Sequence, residues 1–87
     1  MLELIAIHSH AYKHGLSEGA IRHAWRNAFE WCRRERDDGK FEYVLLGIDG
    51  AGRLVELIAR SVPGGYIVFH AKTPPSERVL RELGIGR

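Results

Sequence analysis

The chain has 87 residues, enough for one domain, and 45% of them are hydrophobic while 28% are charged, a balance that argues against disorder. Thirteen lysines and arginines against eleven aspartates and glutamates give a net charge of +2, too little for a general polyanion binder, so a nucleic-acid role has to rest on clustered charges. A single cysteine, the lack of a membrane-length apolar run and the lack of a basic signal-peptide region predict a cytoplasmic protein without disulfides.

The N-terminal part predicts a strand, a histidine-rich loop and a long helix. Residues 2–7 form a short apolar run typical of a strand, and the loop after it holds three of the five histidines. Ser17 is a predicted helix N-cap, and apolar residues recur at helical spacing from Ile21 to Cys32 until Gly39 supplies a stop. We therefore predict one helix over residues 17–37, with Cys32 buried in it.

The second half is typical of an antiparallel meander. Strands are predicted over residues 43–48, 53–60 and 66–71, with a turn around Asp49 and another over residues 63–65. A short helix over residues 76–83 follows two prolines. The order β-α-β-β-β-α predicts a single α+β domain over residues 1–87, in which the long helix packs on one face of a small antiparallel sheet.

Alternation along the last two strands predicts which side chains the uncovered sheet face carries. The covered face is predicted to hold the apolar residues Val55, Leu57, Ala59, Ile67, Phe69 and Ala71. The open face then carries Glu56, Arg60, Tyr66, His70 and Lys72. A three-residue hairpin loop sets Glu56 opposite His70 and Arg60 opposite Tyr66, whereas a two-residue turn shifts this pairing by one.

The open face and the histidine loop together supply the groups that metal-free RNA cleavage needs. That reaction needs a base for the 2′-hydroxyl proton, an acid for the leaving 5′-oxygen and cations at the phosphate oxygens. Histidine serves either proton role near pH 7, while lysine and arginine stabilise the phosphate charge. We therefore predict, without a cofactor, catalytic roles for His14, His70, Lys13, Arg60 and Lys72. Substrate binding is predicted for Tyr66, Glu56, Arg33 and Arg34.

A resemblance to a known family agrees with this chemistry. The element Lys13-His14-Gly15-Leu16-Ser17 before the main helix, the glycine-turned meander and the basic end of the last strand at residues 67–72 resemble the small bacterial toxins of the BrnT type, which belong with the RelE-like ribonuclease toxins. The resemblance implies a RelE-like fold, an endoribonuclease toxin, and an antitoxin partner that neutralises it. Lys13 and His14 take the family's positions, whereas the last strand lacks the arginine common there, so a role for His70 is not implied.

Two other functions stay open on the sequence alone. One is a non-catalytic interaction module, such as a homodimer joined by sheet edges or by Trp31. The other is a small metal-binding protein that uses His8, His10 and His14, although no carboxylate or thiol pair lies at ligand spacing. If the chain is a toxin, we expect the antitoxin to cover the sheet face or the arginine-rich segment 33–36 with an acidic or apolar segment.

Overall fold

The computed structural model describes residues 3–85, which form a five-stranded mixed sheet with two α-helices. In chain order the elements are β1 (Leu4–Ile7), the 3-10 helix η1 (Ser9–Tyr12), α1 (Glu18–Arg26), β2 (Glu30–Glu35), β3 (Phe41–Ile48), β4 (Leu54–Val62), β5 (Gly65–Lys72) and α2 (Glu77–Glu82). The sheet order is β1-β5-β4-β3-β2. Strands β2 to β5 make an antiparallel meander, and β1 joins β5 in parallel. The α+β class is confirmed, but the predicted order β-α-β-β-β-α and the antiparallel sheet are wrong, because β2 adds a strand and β1 pairs in parallel.

The predicted helix over residues 17–37 is wrong beyond its first half. Helix α1 ends at Arg26, and Asn27 caps it by donating a side-chain hydrogen bond to the carbonyl of His23. Residues 30–35 form β2 instead, because the edge of β3 satisfies their backbone groups and because Trp31 suits a strand. Cys32 is therefore half-buried in a strand and not buried in a helix.

A β-bulge in β5 changes which of its residues face the core. A two-residue turn joins β4 to β5, so Glu56 pairs with Lys72 and Arg60 with Ile67. The pairings expected for a three-residue loop, Glu56 with His70 and Arg60 with Tyr66, therefore do not form, and the one-residue shift expected for a two-residue turn is found at Arg60. The register shifts because Ile58 pairs with His70 while Ala59 pairs with Val68, which leaves Phe69 as the extra residue.

The bulge reverses the predicted alternation in the first half of β5. Tyr66 packs against the rings of Trp25 and Tyr43, and Val68 is fully buried in the core. The prediction that Ile67 and Phe69 face the core and that Tyr66 lies on the open face is therefore wrong. Beyond the bulge the predicted alternation holds, with Ala71 buried and His70 on the opposite face.

Helix α1 packs on one face of the sheet and builds the core. Its buried residues Ile21, Ala24 and Trp25 lie against a layer of strand residues, namely Leu45, Val55, Leu57, Ala59, Val68 and Ala71. The helix comes closest at Gly47 of β3, where a Cβ atom would overlap the carbonyl oxygen of Ala24. Neither helix within residues 3–85 is long and apolar enough to cross a membrane.

The opposite face of the sheet, here called the α2 face, is partly covered and not fully open as predicted. Arg34 of β2 pairs with Glu42 of β3 at 2.7 Å and with Glu82 of α2 at 2.6 Å. Val79 of α2 is 2% exposed. The N-cap Ser76 also donates its backbone N–H to Glu56 of β4. These contacts hold α2 against β2, β3 and β4, while the side chain of His70 on β5 stays partly exposed.

Candidate active site

The histidine loop carries His14 to the end of β5. Strand β1 runs beside β5 until the His8 N–H donates to the carbonyl of Val68 at 2.8 Å. Ala11 and Leu16 are buried in the core and fasten the loop at two points, so the exposed Lys13 and His14 between them project from it. The His14 ring lies 5.3 Å from the ring of His70, edge to face.

His70 is oriented by a buried carboxylate. Its Nε2 lies 2.6 Å from Oε2 of Glu56. Because an ionised carboxylate only accepts hydrogen bonds, Nε2–H is the donor, and Nδ1 of the neutral ring is the atom that can accept a proton. The Glu56 side chain is 4% exposed and that of His70 is 31% exposed, so the carboxylate lies inside the protein while the imidazole reaches solvent.

Glu56 stays ionised although it is buried. Burial alone raises the pKa of a carboxyl group, but the hydrogen bonds from His70 and Ser76 outweigh it here and lower the pKa of Glu56 from 4.5 to about 2. The carboxylate therefore carries its charge at neutral pH. In that state it fixes the ring of His70 and stabilises the imidazolium that forms when Nδ1 takes up a proton.

Lys72 lies next to this pair, and Lys13 is the chain neighbour of His14. Lys72 is the cross-strand neighbour of Glu56, and its Nζ donates to the carbonyl of Pro74 at 3.0 Å. Lys13 precedes His14 in the loop and is exposed. Of the predicted catalytic residues, the structure thus brings His14, His70 and Lys72 together at the C-terminal end of β5, and Lys13 precedes His14 on the exposed loop.

Arg60 lies beside the histidine pair rather than within it. It is two residues along β4 from Ile58, the partner of His70, which corresponds to about 7 Å along the strand. Its guanidinium lies 4.3 Å from the centre of the Phe69 ring, which also stacks on His8 at 4.7 Å. The bulge brings Phe69 to this face. Strict alternation along a regular strand places Phe69 on the core side, so the sequence pattern does not predict its position.

Three of the predicted substrate-binding residues are not part of this arrangement. Arg33 and Arg34 lie on β2, separated from β5 by two strands. Arg33 stacks on Phe41 at 4.1 Å, and Arg34 is held between two glutamates. Tyr66 belongs to the core side of the sheet. Ser76 was predicted only to begin a helix, but its N–H also holds Glu56.

The three loop histidines do not form a ligand set. Nδ1 of His8 accepts a hydrogen bond from the N–H of His10 at 3.1 Å, while His14 points to His70. Over residues 3–85, no group of three or more His, Cys, Asp or Glu side chains is arranged to hold a metal ion. The described groups are instead suited to proton transfer next to a bound anion.

No protein-family model, curated protein or solved structure matches the chain. The resemblance to the BrnT-type toxins therefore stays a prediction, and function is inferred from the geometry of the site. That geometry combines two imidazoles in ring contact, a buried carboxylate that orients one of them, and Lys72 on the neighbouring strand position.

Proposed function

We propose that this chain is a metal-independent endoribonuclease that acts as the toxin of a bacterial toxin–antitoxin pair. The observation that carries the proposal is the contact of His14 with His70, whose ring is hydrogen-bonded to the buried Glu56. Two histidines in contact, one oriented by a carboxylate, provide both a base and an acid near neutral pH.

The geometry suggests a different role for each histidine. Nδ1 of His70 takes the proton of a ribose 2′-hydroxyl, and the oxygen attacks the adjacent phosphorus. The bond from phosphorus to the 5′-oxygen breaks, and protonated His14 gives its proton to that oxygen. The products are a 2′,3′-cyclic phosphate and a 5′-hydroxyl. Glu56 stabilises the imidazolium of His70, while Lys13 and Lys72 stabilise charge on the non-bridging oxygens.

Cleavage of RNA by the purified protein in excess EDTA tests this proposal. We expect 2′,3′-cyclic phosphate ends, and we expect His14→Ala and His70→Ala each to lower the rate about 10²- to 10⁴-fold. The matched control is His10→Ala, since His10 is also exposed in the loop but does not contact His70. Full activity of both folded variants would show that other groups carry the reaction.

The toxin role is tested by induced expression in a bacterial host with and without the neighbouring small reading frame. We expect growth arrest with loss of RNA, relief by the neighbouring product, and no arrest by His70→Ala. The expected partner is an antitoxin with an acidic or apolar segment that covers either the α2 face or strand β2, which carries Arg33 and Arg34. Normal growth with ample folded protein and intact RNA contradicts the toxin proposal.

A second candidate function, a non-catalytic interaction module, is favoured by the outer edge of β2, which pairs with no further strand within residues 3–85. This strand ends the sheet, and Trp31 on it is 59% exposed, next to Phe29 at 52%. Exposed aromatic residues and an unpaired strand edge are typical of a protein-binding surface. Absence of cleavage together with a stable dimer in light scattering would favour this candidate.

A further inference from the structure

A groove on the α2 face collects positive charge next to the histidine pair. It has a volume of about 600 Å³ and lies between the β2–β3 hairpin and the end of β4. Its charged residues are Arg36, Lys40, Arg60 and Asp38, and the ring of Phe69 forms part of its wall. Three cations against one carboxylate make this groove positive in a protein of small net charge.

Arg60 is the residue of the groove that most lacks a partner. Its Nε is buried and has no hydrogen-bond partner within residues 3–85, although buried polar atoms in proteins are nearly always paired. Its guanidinium is held on the Phe69 ring. Because Nε is buried, the terminal N–H groups of this flat, pre-positioned guanidinium are the donors available to a phosphate, whose oxygens accept two parallel hydrogen bonds.

The other charges of the groove agree with an anionic ligand. Lys40 is exposed and forms no ion pair within the described part of the chain. Arg36 pairs with Asp38 at 3.2 Å, and Asp38 also accepts the backbone N–H of Lys40. The one carboxylate of the groove is thus already occupied, which leaves Arg60 and Lys40 to bind an anion.

The groove is continuous with the histidine pair through the bulge of β5. Phe69 and His70 are consecutive, so the ring under Arg60 adjoins the imidazole that contacts His14. A polymer bound at the pair therefore reaches the groove with its next phosphates. A single RNA strand has that repeated charge, whereas an isolated phosphate fills only a small part of 600 Å³.

We infer that the Arg60–Lys40 groove binds a phosphate of the RNA strand next to the one at which His14 and His70 act. This inference rests on the proposed ribonuclease function, because it assigns a second subsite to the same substrate. The subsite positions the strand and takes no part in proton transfer. It predicts that binding of RNA, as well as its cleavage, depends on Arg60 and Lys40.

Fluorescence anisotropy with a labelled 2′-O-methyl oligoribonucleotide tests the subsite without cleavage, since that RNA has no free 2′-hydroxyl. We expect Arg60→Gln and Lys40→Gln each to weaken binding about tenfold at low salt. Each variant should also lower the slope of log affinity against log salt by about 0.7, as for one lost contact to a single strand. Lys40→Gln changes an exposed hairpin residue, so its result does not depend on the packing of Phe69.

The matched control is Arg26→Gln, because Arg26 is exposed at the end of α1 and does not line the groove. Equal binding by wild type, Arg26→Gln and both groove variants overturns the subsite, even if RNA is cleaved. Loss of binding in the groove variants with no cleavage of unmodified RNA by wild type supports the subsite as an RNA-binding site while refuting the ribonuclease. Tighter, Arg60-dependent binding of a glutamate-rich peptide overturns the assignment to RNA.

Discussion

At the residue scale, Glu56 links two parts of the site. One carboxylate oxygen accepts from His70 of β5 and the other from the N–H of Ser76, the N-cap of α2. Both partners favour the charged form, and this preference outweighs the burial of the side chain. The carboxylate therefore fastens α2 to the sheet and orients the imidazole of His70 at the same time.

We predict that Glu56→Gln removes a pH-dependent part of the stability. The pKa of Glu56 is about 2 in the folded chain against 4.5 ordinarily, so its contribution is complete above pH 4.5 and is lost as the pH falls towards 2. At pH 7 we expect a loss of about 1–3 kcal/mol in the free energy of unfolding, because charge-assisted hydrogen bonds are lost.

Urea unfolding of both proteins between pH 7 and pH 2.5 measures this contribution. The difference between wild type and variant should shrink steadily below pH 4.5. Glu77→Gln is the matched control, since the Glu77 side chain is 91% exposed, and we expect it to change stability by less than about 0.5 kcal/mol. A difference that stays constant over the whole range contradicts a lowered pKa at Glu56.

The sequence alone identifies the members of the site but not their contacts. His14, His70 and Glu56 were predicted from their chemistry, and the structure brings all three together. His14 reaches His70 because the buried Ala11 anchors the 3-10 helix η1 to the core. Glu56 reaches His70 by a diagonal contact between β4 and β5. No local sequence pattern specifies either contact. The prediction placed Phe69 and Tyr66 on the wrong faces of the sheet, because the alternation of polar and apolar residues does not reveal a β-bulge.

At the scale of elements, the close packing of α1 against β3 determines how the hydrophobic core is formed. Gly47 faces the backbone of Ala24, and no other residue leaves room for the helix at that distance. The approach keeps Ile21 and Trp25 against the sheet. Helix position therefore depends on a missing side chain in β3 as much as on the apolar residues that α1 buries.

We predict that Gly47→Ala destabilises the fold by about 1–3 kcal/mol, because the new methyl group displaces α1. Thermal unfolding followed by circular dichroism should show a fall of several degrees, at about 4–8 °C per kcal/mol for a domain of this size. Gly19→Ala in the first turn of α1 is the control, since the nearest atom to its added Cβ lies 3.9 Å away. Equal thermal unfolding midpoints for wild type and Gly47→Ala would show that α1 does not pack closely against Gly47.

Local signals predict the starts of elements better than their ends. The N-cap Ser17 is confirmed, and Ser76, predicted as the start of the second helix, is the N-cap of α2. The turn role of Asp49 is confirmed by its hydrogen bonds from the N–H groups of Ala51 and Arg53. The end of α1 was missed because helical spacing of apolar residues continues to Cys32. Residues 30–35 become a strand only because β3 offers an edge, and that is tertiary information.

At the scale of the whole molecule, the two sides of the sheet have different characters. One side is sealed by α1, whereas the α2 face combines a docked helix, the histidine pair and the positive groove. The free edge of β2 lies away from β5 and exposes Trp31 and Phe29. The proposed RNA site and the exposed aromatic edge of β2 are therefore separate surfaces of the same small chain.

We predict that Trp31→Gln weakens binding of the neighbouring gene product at least tenfold and leaves RNA cleavage unchanged. A large exposed aromatic residue on an edge strand is a typical anchor of an interface. Titration calorimetry measures the affinity, and the emission of Trp31 should shift to shorter wavelength on binding, since Trp25 is already buried. Ile5→Gln on the opposite edge strand is the control; equal losses in both variants would exclude a specific β2 surface.

The shared carboxylate of Glu56 also makes the site observable by spectroscopy. The Nε2 proton of His70 lies in a short bond to one oxygen, and the amide proton of Ser76 lies in a bond to the other. Nuclear magnetic resonance therefore offers two adjacent probes of one carboxylate, in a strand and at a helix start. Detachment of α2 from the sheet changes the resonance of a histidine that α2 itself does not contain, so the state of the C-terminal helix can be read directly at the imidazole.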